Sequence, residues 1–228
     1  MSRSHLVLVP GLLCDQAVWE HQAEALRHLT HIEIADHGQL DSLGEMAKRI
    51  LETTPTRFAI AGHSMGAMIA NGVVATYPER IGRLAFLSGT GRRTPDKRTQ
   101  ALARAAAILD RSVDQEAQLK RWYGDDHPVL TDVTRAWLAT VNWKGYATAY
   151  LAYATGDEVY CDVWPKVTCS VLFLAGDRDA GTPVELIHEL GTITPKGKSV
   201  IVDGHAHMVP LTAANAVTGH LLDWLAAE

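Results

Sequence analysis

One serine in this chain sits where a serine can become a nucleophile. Ser64 lies in Gly62-His63-Ser64-Met65-Gly66, directly after the apolar run Phe58–Ala61 and directly before a helical pattern. A strand–turn–helix of this kind holds its central residue in a tight, strained turn with the side chain projecting above the sheet. Side chains two residues either side would collide with the neighbouring strand and helix, which Gly62 and Gly66 avoid. The helix opening at Met65 aims free N–H groups and the positive end of its dipole at the same place, where a developing oxyanion would be stabilised. A serine hydroxyl is a weak nucleophile until a base takes its proton, and the usual base is a histidine oriented by a carboxylate. Two further stretches supply those residue types. Gly176-Asp177-Arg178-Asp179 follows the run Val171–Ala175, and Asp203-Gly204-His205-Ala206-His207 follows Ser199–Val202. Asp177 and Asp179 both stand past the C-terminal end of a strand, where open α/β sheets build their sites, so the acid stays open between them. The base stays open in the same way between His205 and His207. A metal reading of the His-x-His pair has little support, because no third and fourth ligand stand nearby at zinc-hydrolase spacing.

These residues need a scaffold, and the sequence alternates accordingly. The short runs His5–Val9, Ile32–Ala35, Phe58–Ala61, Leu84–Leu87, Val171–Ala175 and Ser199–Val202 are nearly continuous in apolar residues, as parallel strands buried on both faces are. Helical patterns separate most of them. Ser42-Leu43-Gly44-Glu45 reads as a capping box before an apolar stripe of Leu43, Met46, Ala47, Ile50 and Leu51. Thr182-Pro183-Val184-Glu185 reads as a second box with proline in the first turn. The helix from Met65 should stop near Tyr77 because Pro78 follows. A last helix opens at Thr212 and turns Val217, Leu221, Leu222 and Leu225 inward. The fold class that follows is α/β: a mostly parallel, six-stranded sheet flanked by helices.

Residues 92–165 break the alternation and divide the chain into a core of 1–91 and 166–228 with a helical insertion between them. The insertion holds four of the six tryptophans and five of the six tyrosines. Trp143, Tyr146, Tyr150 and Tyr153 fall on one helical face. Such a stripe is either core packing or the roof of a pocket.

Composition narrows the classes. The chain has 228 residues, is 47% hydrophobic and 21% charged, and carries a formal net charge of −5, which suits one globular domain with an insertion rather than a disordered chain. The acidic balance gives no support to nucleic-acid or anionic-membrane binding. Leu6 to Cys14 is apolar for only nine residues and contains Pro10-Gly11, too short for a membrane span and without a cleavage site after it. Three cysteines without paired spacing, Cys14, Cys161 and Cys169, argue against a disulfide framework and make a reducing cytoplasm the expected location.

With the elbow, the acid loop and the histidine loop in view, the chain resembles the α/β-hydrolase superfamily, and within it the small capped serine hydrolases. The resemblance covers essentially the whole chain and implies a triad in the chain order serine, acid, histidine. The family's Gly-x-x-Asp places the acid at Asp179, and its Met-Val-Pro-Leu, matched by Met208-Val209-Pro210-Leu211, places the base at His207. His205 would then be a pocket-edge or packing histidine. The resemblance also implies backbone N–H groups of Leu12 and Met65 as the oxyanion hole, with Gly11 allowing close approach of the substrate. Trp122, Trp143, Tyr146 and Tyr150 are the expected substrate-facing residues of a cap, and Cys14 a small apolar neighbour. His63 flanks the serine as a packed neighbour rather than a second base. The chain departs from the family pattern in three ways. It starts at the strand that resembles the family's third, so the fold is expected to lack the first hairpin. The loop 36–42 lacks the usual Gly-x-Gly-x-Ser character. The nucleophile is a serine and not an aspartate, unlike dehalogenases and epoxide hydrolases.

The expected activity is hydrolysis of a small carboxylic ester, thioester or lactone through an acyl-enzyme on Ser64, with no cofactor and no metal, by a monomer or homodimer. The same residues could serve carbon–carbon bond hydrolysis, a lyase step or acyl transfer, since fold and triad host many reactions. A reading of another class is a ligand-binding receptor with a slow triad.

Overall fold

The computed structural model describes residues 4–14, 16–38 and 40–227. Six strands, β1 (His5–Val9), β2 (His31–Ile34), β3 (Phe58–His63), β4 (Ile81–Leu87), β5 (Ser170–Gly176) and β6 (Gly197–Val202), form one wholly parallel sheet in the order β2-β1-β3-β4-β5-β6. Strand order reverses between β1 and β3, which pair from Leu6↔Ala59 to Val9↔Gly62. The crevice past the C-terminal ends of two such strands is where sheets of this type hold their ligands.

Among the described residues, ten α-helices accompany the sheet: α1 (Glu20–Leu26), α2 (Leu43–Thr53), α3 (Met65–Thr76), α4 (Pro95–Leu109), α5 (Gln115–Tyr123), α6 (Pro128–Leu138), α7 (Trp143–Thr155), α8 (Val184–Ile193), α9 (Val209–Thr212) and α10 (Ala214–Ala226). Side chains alternate across a strand, so each strand feeds two cores. Val7, Ile60, Leu84 and Phe173 face one side and pack with Met46 and Ile50 of α2, Ile69 and Val73 of α3 and Ile187 of α8. Leu6, Leu8, Ala85 and Leu172 face the other and pack with Trp19, Leu26 of α1 and Val217 and Leu221 of α10. A sheet covered on both faces in this way explains why the strand runs carry so little polar alternation.

Local signals decided most element starts. Ser42 caps α2 by accepting from the Glu45 N–H at 3.1 Å. The second expected box is not used. Pro183 occupies the N-cap of α8, and the Thr182 hydroxyl instead donates to the Gly89 carbonyl at 3.0 Å, tying α8 to the segment after β4. The terminal helix is split, because Pro210 sits in the short α9 and α10 starts only at Ala214. Val217 and Leu221 are fully buried as expected, whereas Leu222 and Leu225 are half-buried at the edge and Trp224 fills the core instead.

Between β4 and β5 the chain forms α4 to α7. A buried acid fastens the two ends of this segment. The Asp157 carboxylate, just after α7, accepts from the Arg93 backbone N–H at 2.7 Å and from Arg98 at 3.0 Å, and pairs with the Arg93 guanidinium at 3.0 Å. The Asp157 side chain is 0% exposed. The Arg93 guanidinium also stacks over Tyr153 of α7, 4.4 Å from the ring centroid. Removing one partner of a buried ion pair leaves uncompensated charge behind. Asp157→Ala is therefore expected to cost about 3 kcal/mol or more of stability in urea denaturation, and a loss below about 1 kcal/mol would show that the cluster does not hold the segment.

Candidate active site

Ser64 stands between β3 and α3 with φ 57° and ψ −120°, a left-handed region that side chains rarely adopt. Its amide donates to the Leu87 carbonyl of β4 at 2.8 Å, so the turn is anchored to the neighbouring strand. The flanking glycines are steric requirements. A Cβ on Gly62 would lie 2.1 Å from the Gly66 carbonyl oxygen, and one on Gly66 would lie 2.2 Å from the Val9 carbonyl oxygen. This close approach brings the end of β1 over the elbow, and a Cβ on Gly11 would touch the Ser64 Cβ at 3.0 Å.

A line of hydrogen bonds runs from Ser64 into the protein. His207 Nε2 lies 2.9 Å from Ser64 Oγ, and His207 Nδ1 lies 2.8 Å from Asp179 Oδ2. A carboxylate can only accept, so Nδ1 carries the proton and Nε2 faces the hydroxyl as acceptor. Asp179 Oδ1 accepts in turn from the N–H groups of Gly181 at 2.8 Å and Thr182 at 3.2 Å. Burial alone would push the Asp179 carboxyl up. The charge and hydrogen bond of His207 and the Gly181 amide outweigh it and hold the group below the ordinary carboxylate value.

The competing residues are used differently. Asp177 Oδ1 accepts from the N–H groups of Gly204 at 2.6 Å and His205 at 3.2 Å, so it latches the loop after β6. His205 turns to Thr212, with Nδ1 3.0 Å from the hydroxyl, and stacks on His127. His63 is fully buried, and its Nε2–H donates to the His207 carbonyl at 2.9 Å. The backbone that carries His207 is thus held from two sides.

The amides of Leu12 and Met65 donate to no protein acceptor among the described residues. Both residues line a cavity of about 200 Å³ whose floor is Ser64 and His207. That volume lies below the range of about 300–1,000 Å³ typical for drug-sized ligands. Trp122, Tyr146 and Tyr150 also line it, as does Cys14. Trp143 does not. It packs at the start of α7 against Tyr146, with ring centroids 5.9 Å apart, because the stripe from Trp143 to Tyr153 extends beyond the cavity. Gly11 borders the adjacent hollow under Trp137 rather than this cavity. Three polar lining residues were not anticipated: Arg104, Gln118 and Arg121. One signal was present, since Ala101, Arg104, Ala105 and Ile108 share a face of α4 whose other three members are buried. Among the described residues no group of three or more His, Cys, Asp or Glu is placed to hold a metal ion, and no helix is long and apolar enough to cross a membrane.

Burial, reinforced by the nearby His207, pushes the His63 imidazole from 6.5 down to about 3. The unfolded chain therefore binds a proton that the folded chain refuses. Stability from this group is complete above about pH 6.5 and falls by up to about 1.4 kcal/mol per pH unit below it. The His63 ring resonances are expected not to titrate between pH 8 and about pH 5, and a midpoint above pH 5.5 in an NMR titration would contradict the assignment.

The sequence and the fold both have relatives. Residues 6–218 match the model of the alpha/beta hydrolase family. The (E)-2-((N-methylformamido)methylene)succinate hydrolase of Acinetobacter baylyi is 32% identical over 96% of this chain and 89% of its own. A pimeloyl-[acyl-carrier protein] methyl ester esterase of Aliivibrio salmonicida is 24% identical over 90% of this chain and 85% of its own. Among solved structures, the enol-lactonase of Burkholderia xenovorans superposes with a TM-score of 0.85 at 20% identity, covering 100% of this chain and 93% of that one. An esterase of Thermogutta terrifontis superposes with a TM-score of 0.86 at 20% identity, covering 98% and 90%. With a family match over nearly its whole length, and a curated relative aligned across nearly all of it, this chain belongs to the alpha/beta hydrolase family.

Proposed function

We propose that the chain is a serine hydrolase of small carboxylic esters or lactones that works through an acyl-enzyme on Ser64. The observation that carries this reading is the unbroken line Ser64–His207–Asp179, with two unengaged amides above it. Ser64 Oγ attacks the carbonyl carbon and His207 Nε2 takes its proton. The imidazolium is stabilised by Asp179, whose carboxylate stays ionised. Charge gathers on the former carbonyl oxygen, where the Leu12 and Met65 N–H groups stabilise it more than they stabilise the ground state. His207 then returns the proton to the leaving group. Water, activated by the same ring, releases the acid from Ser64. The Acinetobacter baylyi relative is named for a compound with an N-methylformamido group, which makes an acyl–nitrogen bond the second reading for the same residues.

The test is a series of nitrophenyl esters of two to twelve carbons with wild type, Ser64→Ala, Asp179→Asn and Asp177→Asn side by side. The cavity volume favours the short end of the series. Ser64→Ala and Asp179→Asn should each lower kcat by roughly 10⁴-fold. Asp177→Asn should lower the melting temperature and change kcat by less than about tenfold, since it removes a loop latch. Full turnover in Ser64→Ala would sink the acyl-enzyme reading. No turnover in wild-type protein that still labels at Ser64 with a fluorophosphonate would move the search to other acyl bonds.

A further inference from the structure

Among the described residues, the cavity over Ser64 is lined by two guanidinium groups and a single carboxylate. Arg104 of α4 and Arg121 of α5 both line it. The carboxylate among its described lining residues is Asp179, which is already engaged by His207, Gly181 and Thr182. Neither arginine takes part in an ion pair among the described residues. The same segment pairs most of its other arginines: Arg92 with Asp162, Arg93 and Arg98 with Asp157, and Arg135 with Glu116 and Asp132. Arg111 is the remaining one, and it is exposed. Among the described residues of this segment, the guanidinium groups left without an acid at a cavity are therefore the two that line the one over Ser64.

Their setting is prepared for a planar anion. Arg104 is half-buried, its Nη2 donates to the Gln118 side-chain carbonyl, and its Nε is buried without a partner. The guanidinium lies 6.0 Å from the Tyr150 ring centroid. Tyr146 is 2% exposed, and its hydroxyl, which lies against Gln118 and Arg104, makes no hydrogen bond of normal geometry. Arg121 stands at the exposed mouth. An outer groove shares Arg104, Arg121 and Tyr150 with the cavity, continues past Arg92, Arg93 and Lys97, and has no acid in its lining. Arg92 and Arg93 are balanced by their acids, so on a chain of net charge −5 the local basic approach to the serine rests on Lys97, Arg104 and Arg121. A buried donor without a partner, and two like charges at one cavity, are both unfavourable until an anion arrives. The guanidinium fork matches a carboxylate with two parallel hydrogen bonds.

We propose that Arg104 and Arg121 clamp a free carboxylate of the substrate, so that the compound presented to Ser64 is a half-ester, lactone acid or related acyl derivative of a dicarboxylic acid. This rests on Ser64 being the nucleophile, and the binding measurement below separates the two.

Succinate, glutarate, their neutral diamides and inorganic phosphate would be titrated calorimetrically into wild type, Ser64→Ala, Arg104→Met, Arg104→Lys and Arg121→Met, with thermal melts checking the fold. Wild type and Ser64→Ala should bind a dicarboxylate alike, and the diamides should not bind. Each methionine variant should bind it roughly 10-fold or more weakly, with only partial recovery in Arg104→Lys, which restores charge without the fork. Arg121 is exposed, so its variant keeps the test valid if Arg104→Met fails to fold. In parallel, the kcat/KM preference for monoethyl glutarate over ethyl pentanoate should fall roughly 10-fold or more in either methionine variant. Diamides binding as well as dicarboxylates, methionine variants binding like wild type, or phosphate binding as tightly as the dicarboxylates would each overturn the clamp. Arginine-dependent dicarboxylate binding together with full activity in Ser64→Ala would uphold the clamp and refute the nucleophile.

Discussion

Ser64 can hold its left-handed backbone only because two chain segments approach it more closely than side chains would permit. Holding such a conformation costs about 1–3 kcal/mol, and the surroundings must over-determine it. They do so from three directions. Gly62 packs against the backbone of Gly66, Gly66 packs against Val9 and Pro10, and the Ser64 amide is fixed to Leu87. The elbow is therefore a joint between β1, β3, β4 and α3 rather than a local turn. It falls where the strand order reverses, so the hydroxyl points into the crevice that the topology opens between β1 and β3. The free amides of Leu12 and Met65 lie there for the same reason: one ends the β1 excursion and the other begins α3.

The acid and histidine loops obey a similar constraint. A Cβ on Gly176 would sit 2.0 Å from the His205 carbonyl oxygen, and the Arg178 amide donates to that same carbonyl at 3.0 Å. The two loops thus pack backbone to backbone, and each pair of candidates divides its labour. Asp179 and His207 turn toward Ser64, while Asp177 and His205 hold the loops in place. Residue types alone left each pair ambiguous because both members sit two apart beyond one strand end, and both acids are hydrogen-bonded in the fold. Only the neighbouring motif letters, Gly-x-x-Asp and Met-Val-Pro-Leu, favoured Asp179 and His207.

The sheet was legible because it is buried on both faces, which writes each strand as an apolar run. The segment between β4 and β5 was less so. Three of its four helices begin with side-chain caps, Thr94, Asp114 and Asn142, while α6 starts after His127 without one. What spacing did not reveal is how four helices orient over the sheet. That orientation decides that Tyr146 and Tyr150 meet the cavity while Trp143, one turn earlier, does not. It also decides that Arg104, on an alanine-rich face, lines the cavity over Ser64. In α10 the spacing was closer to the outcome: Val217, Leu221 and Trp224 form one inward face, and Leu222 and Leu225 pack at its edge.

The helices over the cavity and the loop that carries His207 are joined directly. The Met208 amide, next to His207, donates to the Trp122 carbonyl at 3.2 Å. Trp122 in turn follows Arg121 on α5. A shift of α5 toward or away from the cavity therefore pulls on the backbone beside the imidazole, as well as moving a guanidinium. His63 resists that pull from the other side through the His207 carbonyl. One amide–carbonyl contact therefore joins the helix that carries Arg121 to the backbone beside His207, and the His63 contact holds that backbone from the opposite side.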